Sequence, residues 1–336
     1  MGDLSRYMRD MSANLVYRFR RWVILAIAFG AVSYLAFSVI AGFGEVREAL
    51  SQFSWWAFIP VILLTLLNYG LRFGKWHYLI GRLGVKMPIK EDAWNFIAGL
   101  SMVISPGKAG ELLKPYVVRE LTQAPMARTI PALVTERLTD AIALLILASI
   151  SVSTYAGDRI EYLIIPSALI ILGLGVLAST KLTTGILDLL AHLHGIKYVE
   201  PKLREMVGAM RTCVAPIPLV VTTLVSVVAW GAECVGFLLI FYGMGIDASL
   251  DICIFLYCFA TIAGGAMPGG LGVSDGALAL GAVTLLGISD AEGTAAALLI
   301  RTATLWLGVG MGAIALFRVS EMLGGNITLN QETDSA

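Results

Sequence analysis

Long apolar runs recur along the whole chain, and they constrain its fold more than any other feature. A membrane-spanning helix needs about 20 mostly apolar residues. Five runs meet that length cleanly or nearly so, and a sixth does if the charges near its start lie within or beside the membrane. The five runs are 22–42, 56–80, 160–179, 217–242 and 294–317, and the sixth is 129–155. We therefore predict an all-α polytopic membrane protein with about six spanning helices.

Composition excludes most other classes of protein. Hydrophobic residues make up 57% and charged residues 14% of the chain, against about 45–50% and about 25% in soluble domains. The formal net charge is zero, which removes any compositional argument for nucleic acid as a partner. Four cysteines without a CxxC spacing and three histidines give no metal-ligand pattern, so neither a metal nor another cofactor is expected.

Two further stretches differ from spanning helices. Residues 91–121 contain two short apolar pieces separated by PGKAGE, and residues 252–287 contain two pieces separated by MPGGLGVSDG. Each piece is too short to cross a bilayer, and each break contains proline and glycine. This pattern is typical of a re-entrant helical hairpin. Two short crossing helices or a surface hairpin are the alternatives.

The distribution of positive charge favours one topology. With the N-terminus in the cytoplasm, six spans and two hairpins, most lysines and arginines fall in cytoplasmic segments, as the positive-inside rule requires. Both termini are then cytoplasmic. The chain divides into a basic segment (1–21), one membrane domain (22–318) and a polar tail (319–336). Residues 181–215 form a cytoplasmic connector, either an interfacial amphipathic helix or an ordinary connecting helix.

The chain contains an internal repeat in which a span, a Pro-Gly break and an arginine-bearing span occur twice. NYGLRFGKWHYLIGRLGV aligns with AWGAECVGFLLIFYGMGI, and ISPGKAG aligns with AMPGGLG. Arg137 in ALVTERLT then falls opposite Arg301 in AALLIRTA. We define repeat one as residues 56–155 and repeat two as 217–317. The predicted topology gives the copies opposite orientations, and inverted repeats are a recurrent plan among transporters.

Charged residues within the apolar runs are candidate ligand-binding groups. Each costs about 2.5–3.5 kcal/mol at a helix centre and therefore needs a partner or water. We predict that Arg72, Arg137 and Arg301 line a central cavity that holds an anionic headgroup. Glu136 and Glu233 would balance them or accept a proton. The alternative is that these charges only pair, Arg72 with Glu136 and Glu233 with Arg301. The predicted substrate-binding residues are Arg72, Lys75, Lys108, Glu136, Arg137, Asp140, Glu233 and Arg301.

The two breaks are candidate phosphate sites. A helix is predicted to begin after each break, and the free N–H groups of a helix N-terminus suit an anion. Glycine allows the backbone to approach a ligand closely. Ser274 or Asp275 would cap the second half-helix, and capping rather than ligand binding is the expected role of Ser274. Lys108 and Glu111 are either gating charges or solvated loop charges. The hairpin positions are Pro106, Gly107, Gly110, Glu111, Pro268, Gly269, Gly270, Gly272 and Ser274.

Three segments resemble the lysylphosphatidylglycerol synthase transmembrane region, which is the flippase-like domain of multiple peptide resistance factor proteins. They are FIAGLSMVISPGKAGELLKPYVVRE, the following ERLTD, and MPGGLGVSDGALALG. The resemblance implies movement of a lipid between leaflets by a standalone member without the aminoacyl-transferase domain. It carries functional roles onto Pro106, Gly107, Gly110, Glu111, Glu136, Arg137, Pro268, Gly269, Gly270 and Gly272.

The favoured function is a lipid flippase or scramblase in the cytoplasmic membrane, a bacterial inner membrane. Its substrate would be an anionic phospholipid, a glycolipid or a polyprenyl-linked lipid. The sequence has no nucleotide-binding G-x-x-x-x-G-K-[ST] loop and no convincing nucleophile, so neither an ATP-driven pump nor an enzyme is predicted. The alternatives are a membrane-embedded polyprenyl pyrophosphate phosphatase-like enzyme and a transporter of a small soluble metabolite. Candidate partners besides the bilayer are a second copy of the chain and a separate lipid-modifying enzyme.

Overall fold

The computed structural model of the chain describes residues 32, 35, 39, 42–105, 110–155, 168, 171–176 and 200–333. The part of the chain that it describes is helical and contains no strand, which confirms the all-α prediction there. A π-helical turn, Thr302–Trp306, joins the last two helices without a break. The helices are α1 (Phe43–Gln52), α2 (Phe58–Arg82), α3 (Ile89–Ser101), α4 (Leu113–Thr122), α5 (Met126–Tyr155), α6 (Glu200–Cys213), α7 (Pro216–Gly243), α8 (Leu250–Ala263), α9 (Val273–Leu286), α10 (Asp290–Arg301) and α11 (Leu307–Thr333).

Four helical segments within the described ranges are long and apolar enough to cross a membrane. They are Trp55–Arg82, Pro216–Gly243, Pro268–Leu286 and Asp290–Gly324. Three of them contain predicted spans. The other, Pro268–Leu286, reaches 19 residues because a 3-10 turn precedes α9, so re-entry of this hairpin stays a prediction.

Other predicted segments are only partly described. α5 contains the sixth predicted run over 30 residues. The helix that was expected to end near 317 continues to Thr333, through most of the polar tail. Most of the runs 22–42 and 160–179, all of segment 1–21 and the first part of the connector lie outside the described residues. The number of spans and the side of each terminus therefore stay predictions.

The helices α2 and α7 end in the same way. Gly84 and Gly245 have φ of +74° and +73°, a backbone conformation that glycine adopts without the steric cost of a Cβ. The next amide reaches back to the last turn in both cases, from Val85 to the Ile80 carbonyl at 3.2 Å and from Ile246 to that of Phe241 at 3.0 Å. This is the hydrogen bond of a glycine-terminated helix, and the two glycines are those that the repeat aligns.

The order of elements after these glycines is also the same in both halves. α3 and α8 each continue into a 3-10 turn, Met102–Ile104 and Gly264–Ala266. After each break a further helix ends at a left-handed residue, Gln123 in one half and Gly287 in the other. The series of elements that the sequence repeat predicts thus occurs twice.

The two halves meet along antiparallel helices. Val61 near the start of α2 faces Gly236 near the end of α7. Lys75 near the end of α2 donates to the Ser226 hydroxyl near the start of α7 at 2.7 Å. In addition α3 of repeat one packs against α11 of repeat two, and α8 of repeat two packs against α5 of repeat one. The first hairpin helix of each repeat therefore contacts the other repeat. This exchange brings the 3-10 turn Met102–Ile104 of repeat one against the turn Pro268–Gly270 in the second break.

Candidate functional site

A cavity of about 440 Å³ lies where the two repeats meet. Its volume is within the range of about 300–1,000 Å³ that is usual for small-molecule sites. Both repeats contribute charged side chains to its wall. These are Arg72, Glu111, Lys114, Glu136, Arg137, Asp140, Glu233 and Arg301.

Glu136 is the centre of the charge cluster that repeat one contributes. Its side chain is fully buried. One carboxylate oxygen accepts from Lys114 Nζ at 2.5 Å, and the other accepts from Arg137 Nη2 at 2.6 Å. Arg72 Nη2 lies 3.7 Å from the same carboxylate, which confirms that these two residues pair but at a longer distance. A buried carboxylate with several cationic donors is the arrangement that offsets the cost of burying its charge.

Lys75 lies behind the wall of the cavity. Its ammonium contacts Asp140 Oδ1 at 2.6 Å, Ser226 Oγ at 2.7 Å and the Glu136 carbonyl at 3.2 Å. The side chain is completely buried and does not line the cavity. The prediction that Lys75 contacts substrate therefore does not fit this geometry, because Asp140 on α5 draws the ammonium away from the side that Arg72 faces.

Arg301 is the cationic group that repeat two contributes. Its Nε donates to Asp275 Oδ1 at 2.7 Å, and its Nη2 donates to the Gly269 carbonyl in the second break. The side chain is 12% exposed and lines the cavity. Arg301 thus ties the second hairpin to the helix that follows it.

Asp275 also caps α9. Its Oδ2 accepts from the Gly272 amide at 2.7 Å, which is the reach-back contact of an acidic residue in the first turn of a helix. The Ser274 hydroxyl instead donates to the Ala260 carbonyl of α8 at 2.8 Å. The expectation that Ser274 is the cap is wrong, because α9 begins at Val273 and Ser274 is already inside it.

Glu233 lies on the cavity wall and is not part of an ion pair among the described residues. Its Oε2 accepts from the Tyr257 hydroxyl at 3.3 Å, and the residue is 4% exposed. The predicted pairing of Glu233 with Arg301 is replaced by the pair of Arg301 with Asp275. Glu233 therefore faces the cavity with a neutral hydrogen-bond partner.

Five buried polar atoms in the wall have no hydrogen-bond partner among the residues that the structure describes. They are Arg72 Nε, Glu111 Oε1, Arg137 Nε, Asp140 Oδ2 and Trp230 Nε1. A buried polar atom left without a hydrogen bond costs about 1–3 kcal/mol, so such atoms are normally satisfied by a ligand or by water. Three of the five are N–H donors, which suit the oxygens of a phosphate.

The π-helical turn after Arg301 also faces the cavity. It exposes the Thr304 carbonyl, which accepts a hydrogen bond from the Tyr69 hydroxyl of α2. A π-helical turn shifts the register of the backbone hydrogen bonds and is frequent at functional sites. This contact joins α2 of repeat one to the end of α10 in repeat two beside the cavity.

The hairpin residues have different positions relative to the cavity. Glu111, Gly269, Gly270 and Ser274 line it. Gly110 lies behind the wall and donates its amide to Ser105 Oγ at 2.8 Å. Pro268 begins a 3-10 turn, and Gly272 precedes α9. Pro106, Gly107 and Lys108 lie outside the described residues.

Sequence reasoning missed several residues of the wall. Lys114 is the main omission: its Nζ lies 4.5 Å from the Trp76 ring centre as well as beside Glu136. Its position inside the short apolar piece LLKPYVV could have identified it, because an ionisable residue within a membrane segment usually marks a functional site. Tyr69 and Trp230 occupy aligned positions of the repeat, and both line the cavity.

Comparison with known proteins identifies the family. Residues 23–312 match the family described as lysylphosphatidylglycerol synthase TM region. One similar protein, a UPF0104 membrane protein of Methanothermobacter thermautotrophicus, is 23% identical over 310 residues, which cover 85% of this chain and 90% of the relative. A second UPF0104 membrane protein of that organism is 23% identical over 318 residues, 87% of this chain and 94% of the relative. The chain is a multi-pass membrane protein and belongs to the lysylphosphatidylglycerol synthase TM region family.

Proposed function

We propose that the protein moves a lipid with an anionic headgroup between the two leaflets of a membrane. The observation that carries this proposal is the cavity at the boundary of the repeats, with unpartnered N–H donors in its wall. Membership of the family supports a link with lipid handling. The substrate would be an anionic phospholipid, a glycolipid or a polyprenyl-linked lipid, and a lipid-modifying enzyme would supply or use it.

Arg72 is the cation best placed to bind the headgroup. Its closest ion pair is 3.7 Å long, whereas Glu136 is held by Lys114 and Arg137 at 2.5 and 2.6 Å. Its Nε has no protein partner, and its guanidinium carbon lies 5.8 Å from the centre of the Trp230 ring. A guanidinium that retains free N–H groups binds phosphate oxygens in a fixed geometry. Trp230 Nε1 would supply a further donor.

The antiparallel packing of α2 against α7 supports access that alternates between the two sides of the membrane. Two similar halves in opposite orientations provide two states of comparable energy, one open to each side of the membrane. We propose that α3–α4 and α8–α9 are re-entrant hairpins that close the cavity from opposite sides. In this arrangement the domain has about six spans and two cytoplasmic termini, in the cytoplasmic membrane of a prokaryote. Movement of a lipid between leaflets makes and breaks no covalent bond, so the proposal assigns no catalytic residue.

Lipid exchange in proteoliposomes tests the proposal. We expect the purified protein to move tail-labelled phosphatidylglycerol from the inner to the outer leaflet, where dithionite destroys the fluorescence. Arg72→Gln should slow exchange about tenfold or more, because loss of a hydrogen bond to a charged group costs about 1.5–3 kcal/mol. Arg128→Gln is the matched control, since Arg128 pairs with Glu205 on an exposed surface and its loss should leave the rate unaltered.

Two results would contradict the proposal. One is the absence of exchange for phosphatidylglycerol, phosphatidylethanolamine and a prokaryotic lipid extract with well-folded protein. Release of phosphate from a polyprenyl pyrophosphate would then be measured, because the phosphatase-like alternative predicts it. The other is equal exchange by Arg72→Gln and Arg128→Gln, which would remove the cavity from the mechanism.

A further inference from the structure

Glu233 differs from every other acidic side chain in the described wall of the cavity. Glu111, Glu136 and Asp140 each lie within 3.6 Å of an Arg137 nitrogen. The hydrogen bond that Glu233 makes comes from the neutral Tyr257 hydroxyl. A carboxylate without a cation in contact is the wall group whose charge is least compensated at short range.

The other charges around the cavity do not balance one another. Arg301 and Asp275 form a pair with no net charge. The cluster of repeat one contains four cations and three acids, each in at least one ion pair. The cations are Arg72, Lys75, Lys114 and Arg137, and the acids are Glu111, Glu136 and Asp140. With these groups charged, the described network carries one excess positive charge when Glu233 is protonated and none when it is ionised.

The groups around Glu233 come from each helix packed against α7 near the cavity. Two arginines, Arg72 and Arg301, act on its charge from opposite repeats. Asp140 and Glu136 on α5 are each paired with cations. The ionisable groups that face this part of α7 are Tyr69, Arg72 and Lys75 of α2, Glu136, Arg137 and Asp140 of α5, Tyr257 and Cys258 of α8, and Arg301.

We propose that Glu233 binds a proton whenever the cavity binds an anionic headgroup, so that lipid and proton move together. This inference rests on the proposed function and adds the coupling ion. The headgroup and the ionised Glu233 compete for the same excess positive charge, because like charges in a poorly screened cavity repel strongly. Binding of the headgroup therefore favours protonation of Glu233, and protonation favours the headgroup to the same degree. The loaded cavity then has the same net charge as the empty one.

A pH gradient across proteoliposomes tests the coupling. The vesicles contain phosphatidylglycerol with a tail-labelled fraction, and the outside is made acidic. We expect the wild type to shift labelled phosphatidylglycerol towards the inner leaflet, and a protonophore should abolish the shift. Glu233→Gln mimics the protonated side chain and should exchange lipid without any response to the gradient. Glu205→Gln removes a partly exposed acid outside the cavity and should retain the response.

A second measurement needs no variant and therefore does not depend on how Glu233→Gln folds. Wild-type protein in weakly buffered detergent is mixed with phosphatidylglycerol, and we expect proton uptake from the solution on binding. Wild-type exchange that ignores the gradient, without proton uptake, would overturn the coupling and leave the proposed function intact. A wild type that exchanges no lipid would overturn the proposed function, and the coupling with it.

Discussion

Arg137 and Arg301 occupy equivalent places in the two repeats but are held differently. Each arginine pairs with an acid of the preceding hairpin, 26 residues earlier in the chain. Arg301 donates a direct hydrogen bond to Asp275 at 2.7 Å. Arg137 Nε lies 3.6 Å from Glu111 and makes no hydrogen bond to it, and Glu111 Oε1 has no partner. The same contact is therefore tight in repeat two and loose in repeat one.

The neighbours of the two arginines explain this difference. In ERLTD of repeat one, Arg137 is shared with Glu136 and Asp140 of its own helix, at 2.6 and 3.4 Å. The corresponding stretch of repeat two reads IRTAT and contains no acid. Arg301 thus remains with Asp275 and the Gly269 carbonyl. The two repeats therefore use an arginine at the same position differently. In repeat one Arg137 joins a cluster of three acids, whereas in repeat two Arg301 binds the preceding hairpin.

The largest loss of stability is expected in the charge cluster around Glu136. Glu136→Gln removes the carboxylate that Lys114 and Arg137 share. Arg137 keeps Glu111 and Asp140, but the buried Lys114 ammonium loses its ion pair. Such a loss costs about 3–5 kcal/mol, and we expect a decrease of that size in the free energy of unfolding in detergent. The control is Glu205→Gln, because its pair with Arg128 is exposed and is worth roughly 1 kcal/mol or less. Equal losses for both variants would show that the cluster does not stabilise repeat one.

The next prediction tests the two hairpin contacts directly. Asp275→Ala removes the partner of Arg301 and the acceptor of the Gly272 amide. The expected loss of stability is about 2–3 kcal/mol, since hydrogen bonds to charged groups contribute about 1.5–3 kcal/mol. Glu111→Ala should cost less than Asp275→Ala, because no hydrogen bond to Arg137 is lost and Arg137 keeps two carboxylates. A larger loss for Glu111→Ala would reverse the comparison.

Much of this fold follows from patterns in the sequence. The length of the apolar runs predicts the long helices, and proline and glycine predict both breaks. The aligned glycines predict the common ends of α2 and α7, because left-handed backbone there favours glycine. The same alignment places Arg137 and Arg301 at equivalent positions, and both line the cavity. These features depend on local chemistry, which a single sequence contains.

The choice between neighbouring polar residues does not follow from the sequence. Lys75 and Arg72 are three residues apart, and helical spacing puts them near one face. Their partners lie on other helices, and Asp140 holds Lys75 behind the wall while Lys114 reaches the cavity. Such a selection depends on how helices rotate against one another, which periodicity does not specify. The sequence also does not decide whether Ser274 or Asp275 caps α9. Sequence patterns fix the start of a helix only to within one or two residues.

The smallest of these effects concerns the point where the two hairpins touch. Gly269 has φ +60°, and a Cβ there would lie 2.9 Å from Ile104 Cγ2 of the first hairpin. Gly269→Ala should therefore cost about 1–2 kcal/mol from the left-handed backbone alone, measured again by unfolding in detergent. The control is Gly231→Ala inside α7, where a Cβ meets nothing within 4 Å and alanine should stabilise by up to about 1 kcal/mol. If Gly269→Ala is as well tolerated as Gly231→Ala, the second hairpin does not pack tightly against the first. The hydrogen bond of Arg301 with Asp275 would then stabilise only repeat two.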